Sequence, residues 1–189
     1  MQAEERMGKV DVAKVEALGR ELLLALGEDP DEERIRDTPA RWARMWRDFI
    51  EHHPGTLSTS FATSGTDQMV VVSGMKVWSF CEHHLLPFWA TVSIGYIPRD
   101  RVLGLSKFGR IAHEAAHRLQ IQERMVQEIA TRVQELAGTE DVAVLAQGEH
   151  LCMTMRGVRT PSLMTSSVME GVFRHVPEAR AEFFSIARR

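Results

Sequence analysis

Apolar residues first recur at helical spacing at Val12, Val15, Leu18, Leu22 and Leu26, which predicts an amphipathic helix capped by Asp11 and stopped by Gly27. A second helix is predicted from Thr38-Pro39, a capping residue followed by proline in the first turn. It shows Trp42, Met45, Trp46, Phe49 and Ile50 on one face and ends at Pro54-Gly55. Residues 55–67, rich in Ser, Thr and Gly, read as a loop. Beyond them the period changes. Met69 to Val72 and Val77 to Phe80 look extended, and from Thr91 to Ile97 the apolar Val92, Ile94 and Tyr96 alternate with Thr91, Ser93 and Gly95. Ser106 is placed to cap a helix whose apolar face is Phe108, Ile111, Ala112, Ala115 and Leu119, and a further helix runs through Met125, Ile129, Val133 and Leu136 to Gly138. Val142 to Met155 reads as strand, Val168 to Phe173 as a weaker strand, and Pro177 opens a short terminal helix.

Helices in front, followed by antiparallel strands with a long helical insertion between them, describe an α+β domain rather than a βαβ array. Composition adds limits. The 189 residues are 44% hydrophobic and 26% charged, enough for a sizeable core, and the net charge of -3 gives no global drive toward nucleic acid or an anionic membrane. Any anion site must therefore be local. The start, Met-Gln-Ala-Glu-Glu-Arg, lacks the apolar core of a secretory signal, and no apolar run approaches the ~20 residues that span a bilayer, so a cytoplasmic location is expected. The sequence carries neither a dinucleotide glycine fingerprint nor a phosphate-binding loop ending in Gly-Lys-Ser or Gly-Lys-Thr, so a bound nucleotide must be held by side chains.

The densest chemistry lies in Ser79-Phe80-Cys81-Glu82-His83-His84, where a thiolate and an imidazole three residues apart can reach one metal from a single turn. Downstream, His150-Leu151-Cys152 closes a strand pattern in which residues two apart share a face, so one of the pair can bind a metal while the other attends a substrate. Cys81 and Cys152 are the only cysteines; a disulfide framework is excluded, and one bridge or one shared metal remains open. Ligation by Cys81, His84 and Cys152 would leave a fourth position for water, as catalytic zinc sites do.

The surrounding sequence closely resembles the GTP cyclohydrolase I family. The matching segments are Asp37-Thr-Pro-Ala-Arg41, Cys81-Glu-His-His-Leu-Leu-Pro87, Tyr96-Ile-Pro98, Gly104-Leu-Ser-Lys107, Gln120-Ile-Gln-Glu-Arg124 and His150-Leu-Cys-Met153 leading into Arg156-Gly157. The resemblance implies a tunnelling-fold catalytic domain over 67–189 behind a helical extension over 1–66, assembled as a homodecamer of two face-to-face pentamers with active sites between subunits. It implies opening of the GTP imidazole ring at C8, release of formate, ribose rearrangement and closure to dihydroneopterin triphosphate, the entry to tetrahydrofolate, pterin or deazapurine synthesis. It places Zn2+ on Cys81, His84 and Cys152, His150 as the acid at the guanine imidazole, His83 near the reacting ribose and purine, Ser106 in proton transfer at the ribose, and Gln122 among the catalytic residues. Glu123 matches the carboxylate that grips the guanine edge, and Lys107, Arg110 and Arg156, with Arg41 and Arg44, match positions that hold the triphosphate.

Two other readings compete. His113-Glu114-Ala-Ala-His117 spells the HExxH pattern of zinc peptidases, but Gln120 stands where the extended pattern needs glycine, and only Glu135 offers itself as a third ligand. Those histidines are expected on the polar, solvent-facing or interfacial side of their helix. A non-cyclohydrolase pterin- or purine-binding protein of the same fold would need neither both cysteines nor the basic cluster. Within the resemblance, Ala90-Thr91 stand where the family usually has Gly-Lys, and Leu119 where proline is common.

Overall fold

The computed structural model describes residues 9–57, 59–62 and 68–188, and the chain divides after His53 into two compact units. In the first, α1 (Val12–Ala25) starts where the Asp11 carboxylate accepts from the Lys14 N–H at 3.0 Å, and Gly27 follows it with φ +83°. Both signals read from the sequence are thus in use. In α2 (Thr38–Ile50) Pro39 occupies the first turn, but the cap position is Asp37 rather than Thr38. The helices meet at Gly19, where even a methyl group would lie 3.0 Å from the Trp42 ring.

The second unit runs β1 (Ser60–Ala62), β2 (Val70–Cys81), β3 (Pro87–Tyr96), β4 (Arg101–Leu103), α3 (Leu105–Ala116), β5 (Leu119–Gln120), α4 (Gln122–Ala137), β6 (Val142–His150), α5 (Leu151–Thr154), β7 (Met164–Met169), α6 (Val172–His175) and α7 (Pro177–Ala187). Five strands form one sheet in the order β5-β2-β3-β6-β7, antiparallel except where β5 runs beside β2. The period-two pattern sends Phe88, Ala90, Val92, Ile94 and Tyr96 of β3 to one face, where Phe108, Ile111 and Ala112 of α3 and Met125, Ile129 and Val133 of α4 cover them. On the opposite face Phe183 of α7 packs on Phe173, Ala143 and Leu145, and lies where a Cβ on Gly95 would come within 2.7 Å of its ring. The expected α+β class, an antiparallel-dominated sheet with helices packed on it, is the class observed.

Several local expectations are corrected. The two extended stretches before residue 81 are one strand, β2, whose register shifts between Val72 and Met75 around Gly74 at φ +76°. Ser106 does not cap α3; Gly104 does, and Ser106 sits in the first turn. Leu119 is off the helix, because α3 ends at Ala116 and the chain turns to pair Leu119 with Phe80. The strand expected over Val142 to Met155 stops at His150, where the Met155 N–H bonds the Leu151 carbonyl at 3.0 Å and the chain coils into α5. The described part of the 55–67 loop also carries β1, which pairs with β4.

Candidate active site

Cys81 ends β2, and the turn after it closes on its own backbone. Its carbonyl accepts from Leu85 N–H at 2.9 Å and His84 N–H at 3.3 Å, and its N–H donates to the Leu86 carbonyl at 2.8 Å. Leu85 adopts the left-handed region, φ +53°, which reverses the chain tightly into β3. The reversal folds His84 back over the thiol, with Nδ1 3.5 Å from Cys81 Sγ, and leaves the His83 Nδ1 at 3.9 Å. From the other side, pairing of β3 with β6 sets Phe88 opposite His150, and α5 then carries Cys152 inward. One ligand atom each from Cys81, His84 and Cys152 lie within 4.8 Å of one another; Cys81 is buried, Cys152 half-buried and His84 exposed.

Burial first, then the charge and hydrogen bond of Cys81, push the Cys152 thiol up, and Arg156 pulls weakly the other way. Two neighbouring thiolates repel, and a cation between them reverses that balance. Two sulfurs and one imidazole nitrogen are donors that suit zinc, and a set of three protein ligands would leave a fourth position for water. The cluster therefore fits a catalytic metal.

His150 stands beside it at the end of β6. Its ring stacks on Phe88 with centroids 4.4 Å apart and planes 6° from parallel, and its Nε2 lies 3.1 Å from Gln122 Oε1. Burial lowers its pKa from the ordinary histidine value, partly offset by the charge of Glu123, an exposed carboxylate in the first turn of α4. Lys107 Nζ and Arg110 Nη1 both donate to the Thr56 carbonyl, the latter at 2.6 Å, and among the described residues neither pairs with a carboxylate. Burial, then Arg110, holds the Lys107 ammonium below its usual value. Ser106 is exposed next to Lys107, and Arg156 is exposed just past α5. Arg41 and Arg44 lie exposed on α2 in the first unit, where Arg41 contacts Asp37 at 3.2 Å.

The HExxH stretch is built differently from a peptidase site. His117 lies past the last residue of α3, with its Nδ1 2.8 Å from the His113 carbonyl. Glu114, which would be the base, is 3.5 Å from Arg132, and Glu135, the third ligand the sequence offered, is 3.0 Å from the same guanidinium. Both histidines are half-buried.

Three supporting groups escaped the sequence reading. Arg124 binds the Glu82 carboxylate and donates Nε to Gln120 Oε1 at 2.7 Å, while Glu82 N–H donates to the Gln120 carbonyl at 3.1 Å. This network ties the thiol-bearing turn to the start of α4. Arg124 lies inside a motif already quoted, so its position was visible and its partner was not. Phe88, stacked on His150, reads as an ordinary strand residue, and Ser166, whose Oγ lies 3.2 Å from Gln122 Nε2, as an ordinary polar one; no spacing marks either.

An α+β unit with two thiols and an imidazole open on one side, an anchored histidine beside them and two cations without acidic partners among the described residues has the parts of a metal-assisted hydrolase for an anionic substrate. The sequence model of the family described as GTP cyclohydrolase I matches residues 15–188. The GTP cyclohydrolase 1 of Deinococcus radiodurans is 46% identical over 177 residues, covering 90% of this chain and 82% of that protein. Those of Hyperthermus butylicus, 42% identical with 94% of this chain and 91% of the relative covered, and Alkalilimnicola ehrlichii, 44% identical with 93% and 97% covered, are similar to it over nearly their whole length. The chain belongs to the GTP cyclohydrolase I family, a family of hydrolases.

Proposed function

We propose that this chain is a zinc-dependent GTP cyclohydrolase I that converts GTP to dihydroneopterin triphosphate and formate. The convergence of Cys81, His84 and Cys152 beside His150 carries the reading. Zinc held by those three residues would supply Lewis acidity and an activated water at neutral pH. The chain's own groups do the rest. Glu123 accepts the two N–H donors of the guanine edge and so fixes the purine; Lys107 and Arg110, joined by Arg156, hold the triphosphate, a task for which the family resemblance also names Arg41 and Arg44. With the base fixed, His150 gives a proton to the imidazole nitrogen next to C8, which makes that carbon electrophilic. His83, whose side chain is 64% exposed, is free to approach the ribose, and Ser106 moves a proton during its rearrangement. The family resemblance extends the reading to a homodecamer of two pentamers with active sites between subunits, and the exposed position of Glu123 suits a substrate shared in that way.

Incubating the reduced protein with GTP, with and without a zinc chelator, and measuring formate together with the pterin tests this. Chelator-sensitive production of both is expected. Metal-loaded protein that yields neither contradicts the reading and favours a pterin- or purine-binding role.

A further inference from the structure

Gln122 opens α4 and is wholly buried, so its amide has no direct path to a substrate. Around its nitrogen stand the Ala146 carbonyl at 3.2 Å, the Met164 carbonyl at 3.1 Å and Ser166 Oγ at 3.2 Å. Two of these three are backbone carbonyls, which only accept, so the side of the amide that faces them must be the NH2 group. The usual ambiguity of a glutamine's two ends is thereby resolved by its surroundings. The atom 3.1 Å from His150 Nε2 is then the amide oxygen, which also only accepts, and the ring nitrogen facing it must carry a hydrogen. Phe88, stacked at 4.4 Å, holds the ring plane. Turning the ring over within that plane would replace an N–H donor by a C–H at the Gln122 oxygen.

We propose that Gln122 is a positioning residue that keeps His150 in the tautomer with its hydrogen on Nε2, leaving Nδ1 as the nitrogen that handles the substrate proton, and that Ser166 and the two carbonyls hold Gln122 in the required orientation. In the cyclohydrolase reaction proposed above, on which the identity of the substrate proton rests, the cationic ring releases its Nδ1 proton to the purine imidazole nitrogen. The ring thereby becomes neutral with the Nε2 hydrogen in place, and Nδ1 takes up one proton from the bulk medium between turnovers, replacing the one delivered to the purine. A buried amide of fixed orientation therefore selects which ring nitrogen reacts, as second-layer partners of histidine commonly do.

The test is magic-angle-spinning NMR of zinc-loaded, full-length protein labelled with 15N-histidine, with the His150 signals identified by their loss in His150→Ala. Neutral wild-type protein should show a hydrogen-bearing Nε2 and a bare Nδ1 at His150. In Gln122→Leu the two tautomers should mix, zinc content should stay unchanged, and kcat should fall about 10- to 1,000-fold with KM for GTP changing less than about threefold, a loss smaller than the roughly 10⁴ upper end of what acid–base catalysis contributes. A wild-type His150 with its hydrogen on Nδ1, or a folded Gln122→Leu protein with wild-type kcat, would overturn the assignment. The wild-type spectrum decides even if that variant fails to fold. Wild-type turnover by His150→Ala would instead overturn the acid role given to His150 and leave the tautomer measurement standing by itself.

Discussion

His150 and Cys152 are two residues apart yet carry separable tasks, because α5 turns the second away from the strand that holds the first. Cys152 reaches the thiol–imidazole cluster, whereas His150 is fixed by Phe88 and Gln122. Cys152→Ser should therefore lose bound metal and turnover together. His150→Ala should retain one metal per chain and lose about 10²–10⁴ in kcat; metal analysis beside the GTP assay separates the two, and loss of metal from His150→Ala would refute the division. Lys107 offers a test by pH. Its ammonium is held below the usual lysine value by burial and by Arg110, so the free protein releases that proton at a lower pH than a surface lysine would. Its contribution to triphosphate binding is then complete at neutral pH and declines as pH rises through the lowered value. The alkaline fall of kcat/KM for GTP should accordingly shift to higher pH in Lys107→Met, at a reduced plateau; coincident profiles would show that Lys107 does not titrate in binding.

At the scale of elements, the approach to α3 depends on one phenol. Tyr96 is wholly buried at the end of β3, and its oxygen accepts from the Leu103 N–H at 2.9 Å, which fastens β4 just before the helix that carries Ser106, Lys107 and Arg110. Tyr96→Phe keeps the ring but strands that N–H, a loss of about 1–3 kcal/mol. Urea unfolding at fixed protein concentration should show a lower midpoint at unchanged slope, and an unaltered midpoint would mean that the N–H finds another partner. This scale also shows what the sequence made legible. Amphipathic periodicity located the long helices, and Asp11, Pro39 and Gly27 marked helix ends by chemistry that acts locally. The two-residue β5 left no pattern, since it exists only because β2 is there to pair with it. The end of β6 was hidden for a related reason: the apolar run continues from strand into α5, and period alone does not separate them. At the site, Cys81, His84, His150 and Cys152 stood out by side-chain chemistry. Ser166 and Phe88 did not, because what they contribute is a contact made across β7 and β3 that spacing along the chain does not encode.

At the scale of the whole molecule, family, sheet and site agree. The family match runs through both compact units, from residue 15 to residue 188, and among the described residues no helix is long and apolar enough to cross a membrane. The sheet brings the end of β2 and the end of β6 together through β3, so the candidate ligands, 71 residues apart in the chain between Cys81 and Cys152, depend on the fold for their proximity. A metal bound there should stabilise the folded chain by mass action as well as support the reaction. The most direct test of the account is to strip the protein with a chelator, return zinc in steps, and follow bound metal and GTP turnover together. Turnover should rise in proportion to bound zinc, saturate at one ion per chain, and fail to return in Cys152→Ser. Full turnover by metal-free protein, or a zinc stoichiometry unchanged in Cys152→Ser, would contradict it.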